Sequence, residues 1–180
     1  MSRRDSHRIL ILGDSHGRHF NQLLRDKLTS NFNIQSFIKP NAGVAEVISA
    51  VEDKIGDFNE GDYVVVLAGA NDIDGCYDST GVSSILAAYG ELLNKTTHTN
   101  AIVSTIPFRH DRTELNGLIE NVNGWLYNMC QKHSHVATFT INNILHRRFY
   151  HHRGLHLNIL GKKHVCAHLK GLAVQYVSEA

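Results

Sequence analysis

The chain has 180 residues, of which 42% are hydrophobic and 19% are charged, and its formal net charge is +1. This size and composition indicate one globular domain over residues 1–180 with a substantial core. Such a domain could be part of a longer protein. The size and composition argue against a membrane-spanning or signal-bearing chain, because the N-terminal apolar run Ile9–Leu12 is far shorter than the roughly 20 residues of a membrane helix.

The predicted elements alternate between strands and helices along the chain. Short β-branched runs indicate buried parallel strands, and apolar residues at helical spacing indicate the helices between them. The strands are predicted at Arg8–Leu12, Asn33–Ile38, Tyr63–Ala68, Ala101–Ile106 and Val136–Thr140, and the helices at Arg18–Leu28, Val44–Lys54, Val82–Asn94, Thr113–His133 and Ile159–Val177. This pattern predicts an α/β fold, a three-layer α/β/α sandwich around a five-stranded parallel sheet.

Three polar residues follow predicted strands or precede predicted helices. Ser15 follows the first strand, Asn71 follows the third, and His156 stands just before the last helix. Because ligands of open α/β sheets bind at the carboxyl edge of the strands, we expect these side chains to converge there. A serine nucleophile, an amide that stabilises an oxyanion and a histidine base are the groups that acyl transfer needs.

Each of these residues also has a structural interpretation. Ser15 can cap a helix, Asn71 can form a turn with Asp72, and one histidine among 13 is more often structural than catalytic. Asp14 is expected to order its loop as a hydrogen-bond acceptor. His16 is adjacent to Ser15 in sequence, which makes it a poorer base candidate than His156.

Several short blocks carry a family resemblance. Gly13-Asp14-Ser15, Gly43, Gly69-Ala70-Asn71-Asp72, and His156-Leu157-Asn158 with Gly161 resemble, in order, those of the SGNH (GDSL-type) hydrolases. The resemblance implies a flavodoxin-like fold and hydrolysis of small acyl or acetyl esters through an acyl-enzyme, without metal or cofactor. It implies that Ser15 is the nucleophile and His156 the general base. It also implies an oxyanion hole formed by the Ser15 N–H, the Gly43 N–H and the Asn71 amide.

One position departs from the family's pattern. The family usually has an aspartate three residues before the histidine, and this chain has Arg153. Three alternatives stay open: a backbone carbonyl orients His156 in a Ser–His dyad, another carboxylate reaches it, or the site has decayed. The candidate carboxylates are Asp72, Asp74 and Asp78. Because loss of this third group costs about 10⁴ in kcat in a serine protease, we expect slow hydrolysis.

A narrower resemblance concerns Asp14-Ser15-His16-Gly17-Arg18 and the block from Gly154 to Lys163. Both are similar to the esterase-like domains of non-LTR retrotransposons and of insect transposon-derived proteins. In that setting the domain accompanies nucleic-acid-binding modules, and this resemblance implies nucleic acid or a lipid ester as a partner.

The charges are unevenly distributed along the chain. Residues 1–120 carry 11 Lys and Arg against 16 Asp and Glu, whereas residues 121–180 carry seven against Glu179 alone. A non-catalytic module that binds RNA or an anionic membrane surface is therefore the alternative function. The residues predicted to bind the anion are Arg147, Arg148, Arg153, Lys162 and Lys163. A solvated basic surface is the plainer interpretation.

Other features are less specific. Three cysteines (Cys76, Cys130 and Cys166) at no metal-ligand spacing predict reduced thiols and an intracellular protein. The closely spaced histidines lack a Cys or carboxylate partner, so no metal site is predicted. The loop from Pro107 to Arg112 either covers the site or is a solvent-facing turn. The oligomeric state stays open.

Overall fold

The sheet has five parallel strands in the order β2-β1-β3-β4-β5. The computed structural model describes residues 6–76 and 78–179, with side chains as far as Val174. The strands are β1 His7–Gly13, β2 Phe32–Ile38, β3 Tyr63–Leu67, β4 Asn100–Ser104 and β5 Val136–Phe139. The predicted five-stranded parallel sheet is therefore confirmed, with each strand within two residues of its predicted bounds.

The strands are buried on both sides, which explains their continuous apolar sequences. In β1, Ile9 and Ile11 pack into the core on one face, whereas Leu10 and Leu12 pack into the core on the other. Every residue of β3 is buried, because this strand is at the centre of the sheet. Because successive side chains of a strand point to opposite faces of the sheet, each buried strand contributes to two separate hydrophobic layers.

Helices cover both faces of the sheet and complete the predicted three-layer sandwich. They are α1 Phe20–Arg25, α2 Val44–Ile48, α3 Val51–Ile55, α4 Ala70–Asp74, α5 Ser79–Lys95, α6 Asn116–Cys130 and α7 Ile159–Glu179. Helices α1 and α7 pack together on one face, and α2 and α6 both pack against α5 on the other. The strand order and layers are those of a flavodoxin-like fold.

Three predicted helices are shorter or divided in the structure. The segment predicted as Thr113–His133 is a 3₁₀ turn at Thr113–Leu115 followed by α6, which ends at Cys130. The helix predicted at Arg18–Leu28 is only α1, Phe20–Arg25, and a 3₁₀ turn at Ser15–Gly17 precedes it. His19, with φ 70°, has left-handed backbone that interrupts helical hydrogen bonding. The segment predicted as Val44–Lys54 is split into α2 and α3, where the Ser49 hydroxyl donates to the Glu46 carbonyl (2.9 Å) in competition with the helix.

The short helix α4 was not predicted, because its five residues are too few to show a helical period. It begins directly after β3, beside the end of β1. In this strand order, β1 and β3 flank the point where the direction of the connections reverses, which is where such folds bind ligands. The segments after β1 and β3 hold Ser15 and Asn71.

Candidate active site

Ser15 and His156 form a hydrogen bond across the carboxyl edge of the sheet. Ser15 Oγ lies 3.0 Å from His156 Nε2, although the residues are 141 positions apart in the chain. Ser15 is 9% exposed, whereas His156 is exposed. This geometry allows the imidazole to accept the serine proton, which is the arrangement of an activated hydroxyl nucleophile.

Asp14 shapes the turn that presents Ser15. Its carboxylate accepts a hydrogen bond of 2.8 Å from the His16 N–H, and its own N–H donates to the Leu67 carbonyl at the end of β3 (3.1 Å). Ser15 therefore sits in a turn attached to two adjacent strands. Among the hydrogen bonds of the described residues, none uses the Ser15 N–H, so this donor is available to a ligand.

The loop around Gly43 is held against α4 by two consecutive residues. Asn71 Nδ2 donates to the Ala42 carbonyl (2.9 Å), and the Val44 N–H donates to Asp72 Oδ2 (3.0 Å). A Cβ at Gly43 would lie 2.5 Å from Asp72 Oδ1, so only glycine allows this approach. The Asn71 amide has a second hydrogen, and it can donate to a ligand.

The loop that carries His156 is clamped by backbone hydrogen bonds and by Asn158. The Asn158 amide donates to the Arg148 carbonyl (2.8 Å) and the Tyr150 carbonyl (3.0 Å), and its oxygen accepts from the Gly161 N–H (2.9 Å). The His156 carbonyl accepts from the His151 N–H (2.8 Å). The resemblance pointed to Asn158, but its clamping role depends on contacts that the sequence alone does not reveal.

None of the three candidate carboxylates contacts His156. Each is used elsewhere: Asp72 accepts from Val44, Asp74 pairs with Arg109 and Arg112, and Asp78 caps α5 through the Thr80 and Gly81 N–H groups. Arg153 is exposed. Among the described residues, no carbonyl accepts a hydrogen bond from His156 Nδ1 either, so its orientation comes from the clamped loop and from ring packing.

His16 supplies the ring packing. Its ring centroid lies 5.3 Å from that of His156, with 32° between the planes. Burial lowers the pKa of His16 to about 3, so this ring is neutral at physiological pH. The sequence favoured His156 over His16 as the base, and the structure places His16 as a buried, uncharged ring packed beside His156.

Burial also changes the protonation of Asp14. Burial raises the pKa of the Asp14 carboxyl to about 7, although the hydrogen bond from His16 lowers it in part. Asp14 and His16 both line a cavity of about 10 Å³ beneath the Ser15 turn. Its other walls are mainly apolar and include Phe20, Ile141 and Leu157. The turn that carries Ser15 therefore packs against tightly packed side chains that carry little charge.

The loop from Pro107 to Arg112 is not a plain solvent-facing turn. Arg109 is only 4% exposed, because Asp111 binds its guanidinium at 2.6 and 2.7 Å and Asp74 binds it at 3.0 Å. The His110 N–H donates to the Gly154 carbonyl (3.0 Å). Gly154, with φ 84°, has no room for a side chain against His110. The loop therefore ties α4 to the His156 loop.

The five predicted anion-binding cations have different environments. Arg147 donates to the His151 and His152 carbonyls, and Arg148 lies over the Phe149 ring. Arg153 and Lys163 are exposed. Lys162 is half-buried, and its Nζ donates to the Arg18 carbonyl (3.1 Å), which places it beside the serine turn.

Burial and the charges of Lys162 and Arg18 lower the pKa of His156. His156 is therefore neutral near pH 7 and able to accept a proton. The same charges disfavour the imidazolium that forms when it does so.

The described residues also bear on a metal site and on a membrane-spanning helix. No three His, Cys, Asp or Glu side chains in residues 6–76 and 78–174 are grouped as a metal ion would require. Within the described part of the chain, no helix combines the length and apolarity needed to cross a bilayer.

Comparison with solved structures finds the same fold in other proteins. A member of the lipolytic G-D-S-L family from Veillonella parvula is 16% identical, with a TM-score of 0.75 over 94% of this chain and 98% of its own. A carbohydrate esterase family 3 protein from Talaromyces cellulolyticus is 15% identical, with a TM-score of 0.75 over 96% and 99%. An acetylxylan esterase from Geobacillus stearothermophilus is 13% identical, with a TM-score of 0.70 over 94% of each chain.

No protein-family model and no curated protein matches the sequence. At 13–16% identity, the likeness to solved structures shows a shared fold. The chain therefore has the α/β/α fold of these proteins, and the flavodoxin-like architecture predicted from its sequence is confirmed.

Proposed function

We propose that the chain is a serine esterase that hydrolyses small acyl esters, with Ser15 as the nucleophile and His156 as the general base. The 3.0 Å hydrogen bond between Ser15 Oγ and His156 Nε2 is the observation that carries the proposal. A serine hydroxyl is a weak nucleophile until a base takes its proton, and this contact provides the base. The shared fold with an acetylxylan esterase adds support and favours acetyl esters.

The acylation step uses these two groups directly. Ser15 Oγ bonds to the ester carbonyl carbon while its proton passes to His156 Nε2, and the carbonyl π electrons move onto the oxygen. When the tetrahedral intermediate collapses, the bond to the alcohol oxygen breaks, and that oxygen takes the proton from His156. The alcohol leaves and an acyl-Ser15 ester remains.

Deacylation repeats the sequence with water. A water molecule gives its proton to His156 and attacks the acyl carbon, and the bond to Ser15 Oγ then breaks. Ser15 recovers the proton from His156, and the carboxylic acid is released. No metal or cofactor takes part in this proposal.

The developing oxyanion would be stabilised by the Ser15 N–H, the Gly43 N–H and the Asn71 amide. Two features support this assignment. Neither backbone N–H donates to another group in the described residues. The contacts of Asn71 and Asp72 with the Gly43 loop fix the donors before substrate binds. Fixed donors of this kind contribute about 3–4 kcal/mol each in a serine protease.

The site would work as a Ser–His dyad. Arg153 replaces the usual aspartate, and the clamped loop with the His16 ring takes over the orientation of His156. Orientation is only part of that aspartate's role, because it also stabilises the imidazolium. We therefore expect turnover on activated esters to be slower than in an esterase with the complete triad.

Hydrolysis of p-nitrophenyl acetate tests the proposal. Wild type should turn over, whereas Ser15→Ala and His156→Ala should fall to the uncatalysed rate. His152→Ala, an exposed histidine of the same loop, is the matched control and should keep wild-type activity. Equal rates in wild type and Ser15→Ala would sink the esterase assignment.

A fluorophosphonate probe tests the nucleophile without turnover. Ser15 Oγ should bond to the probe's phosphorus as fluoride leaves, and mass spectrometry should find the adduct on the peptide that contains Ser15. His156→Ala should slow labelling, because the hydroxyl loses its base. Labelling at another serine would reject Ser15 as the nucleophile.

An anionic lipid surface is the second candidate ligand. Ile159 and Leu160 are 58% and 55% exposed, close in sequence to the exposed cations Arg153 and Lys163. Apolar side chains beside cations favour binding to an anionic bilayer. Sedimentation with phosphatidylserine vesicles tests this, and Ile159→Ser with Leu160→Ser should reduce binding. RNA as a ligand and a transposon origin stay predictions of the sequence.

A further inference from the structure

Two cations stand beside the Ser15–His156 hydrogen bond. Lys162 lies in the first turn of α7, six residues after His156, and its Nζ donates to the Arg18 carbonyl (3.1 Å). Arg18 follows the 3₁₀ turn that begins at Ser15, and its side chain is exposed. Lys162, which follows His156 in the chain, therefore contacts the backbone of Arg18, which follows Ser15.

These cations have no acidic partners among the side chains that the structure describes. The buried Arg109 and the half-buried Arg8 do have such partners: Arg109 pairs with Asp74 and Asp111, and Arg8 pairs with Asp57 and Asp62. No such ion pair within 4.0 Å involves Arg18 or Lys162. No carboxylate among the described residues therefore compensates their positive charge.

Keeping Lys162 half-buried without a carboxylate is unfavourable for the free protein. Burial and the charge of Arg18 lower the pKa of Lys162, which measures the disadvantage of its charged form. A bound anion would remove much of this cost, because a buried charge is stabilised when it is paired.

The position of the cations also matches the direction of the proposed reaction. His156 Nε2 protonates the leaving alcohol, so the alcohol portion of the ester must lie on the His156 side. Lys162 stands on this side, because it follows His156 by six residues at the start of α7, and its contact with the Arg18 carbonyl (3.1 Å) places Arg18 there too. An anionic group on the alcohol portion would therefore reach them while the acyl carbon lies at Ser15.

We propose that Arg18 and Lys162 form an anion subsite, and that the substrates are esters whose alcohol portion carries a carboxylate or phosphate. This inference rests on the proposed esterase function. The bound anion neutralises the cations around His156 and so favours the imidazolium during acylation. The substrate thereby supplies the negative charge that an aspartate at position 153 would provide and that Arg153 does not.

A matched pair of esters tests the inference. One is 4-acetoxy-3-nitrobenzoate, which is anionic, and the other is its neutral methyl ester; each kcat/KM is divided by the rate of uncatalysed hydrolysis. Wild type should prefer the anionic ester by about 10-fold or more at low salt, and the preference should shrink as salt is added. Lys162→Gln and Arg18→Gln should each remove most of the preference.

Lys170→Gln is the matched control, because this exposed lysine lies on the same helix and the substitution removes the same charge. It should keep the wild-type preference. A preference near one in wild type, or an equal preference in wild type and Lys162→Gln, would overturn the anion subsite while leaving the esterase function intact.

Binding of the product separates the two proposals when turnover is absent. If neither ester is hydrolysed faster than by Ser15→Ala, the esterase function fails, and with it the substrate class. Equilibrium dialysis of 4-hydroxy-3-nitrobenzoate then decides the subsite alone. Binding that is several-fold weaker in Lys162→Gln than in Lys170→Gln would support the subsite, and equal binding would reject it.

Discussion

The two halves of the candidate site are built in opposite ways. The serine side (residues 13–17, 42–44 and 69–74) is attached to the ends of β1 and β3 and is largely buried. The histidine side (residues 147–163) is a loop and the first turn of α7, and His156 itself is exposed. Asp14 and His16 on the serine side are buried with shifted pKa values, whereas unpaired cations surround His156.

This difference shows how the two halves depend on the rest of the fold. The serine side shares its contacts with the core, so a change there that displaces the backbone should affect stability and activity together. The histidine side is positioned by a few hydrogen bonds over a loop, so a change there should affect activity more than stability. Changes confined to one side therefore test the comparison.

Among variants that leave Ser15 and His156 in place, the largest effect on catalysis is expected from Gly43→Ala. Its Cβ would lie 2.5 Å from Asp72 Oδ1, so the loop must move and carry the Gly43 N–H away from the oxyanion. We expect kcat to fall about 10²-fold and the free energy of unfolding to fall by about 1–3 kcal/mol. Ester hydrolysis measures kcat, and urea unfolding measures the free energy of unfolding. Gly117→Ala in α6, where a methyl group meets no described atom within 4 Å, should leave both nearly unchanged or raise stability.

Asn158→Ala tests the histidine side. The substitution removes the amide that holds the Arg148 and Tyr150 carbonyls, so His156 loses its alignment with Ser15. We expect kcat/KM to fall by up to about 10²-fold, because small misplacements of catalytic groups are costly. Melting temperature should change less than in Gly43→Ala. Asn121→Ala, an exposed control, should match wild type, and full activity in Asn158→Ala would disprove the clamp.

Arg153→Asp should raise activity. It replaces an exposed cation with a carboxylate three residues before His156 and should raise the pKa of His156. Because a carboxylate stabilises the imidazolium, we expect kcat on p-nitrophenyl acetate to rise about 10-fold, with the acidic limb of its pH profile moving to higher pH. Arg153→Ala separates the gain of an acid from the loss of a cation. A rise of the same size in both variants would show that only the cation matters.

Asp14→Asn should have the smallest effect on catalysis and a clear effect on pH-dependent stability. Burial raises the folded pKa of Asp14 from 3.8 to about 7, so its contribution is fully present below about pH 4 and is lost as pH rises to about 7. An amide does not titrate, so urea unfolding should show wild type losing up to about 4 kcal/mol relative to Asp14→Asn over that range. A constant difference would mean that Asp14 is not protonated when folded. His16, with its pKa lowered to about 3, contributes the opposite slope below pH 6.5 in both proteins.

The sequence was informative where local pattern determines structure. The five strands and the long helices follow from apolar periodicity, and Ser15 and Asn71 follow from their places after strands. The split of the helix at Ser49 involves a side-chain hydrogen bond, and the late start of α1 follows the left-handed backbone of His19. Patterns of hydrophobicity do not contain such details.

The candidate site was predicted less completely than the fold, because its geometry depends on contacts between distant segments. The places of Ser15 and His156 in the predicted elements indicated that they converge, and the resemblance gave them roles, but their hydrogen bond joins residues 141 positions apart and follows from no spacing rule. The sequence offered Asp74 as an acid for His156, but Arg109 from another loop pairs with it. The sequence also did not indicate that Arg109 is buried, since an arginine in a loop is usually exposed.

The distance along the chain between Ser15 and His156 has a consequence for folding. The serine is in place once β1 and β3 have paired, but the histidine arrives only when the final helix has docked on α1. Closing a loop of this length is entropically costly and comes late in most folding reactions. During refolding or synthesis, catalytic competence should therefore appear after the sheet has formed, which makes activity a reporter of the last step of folding.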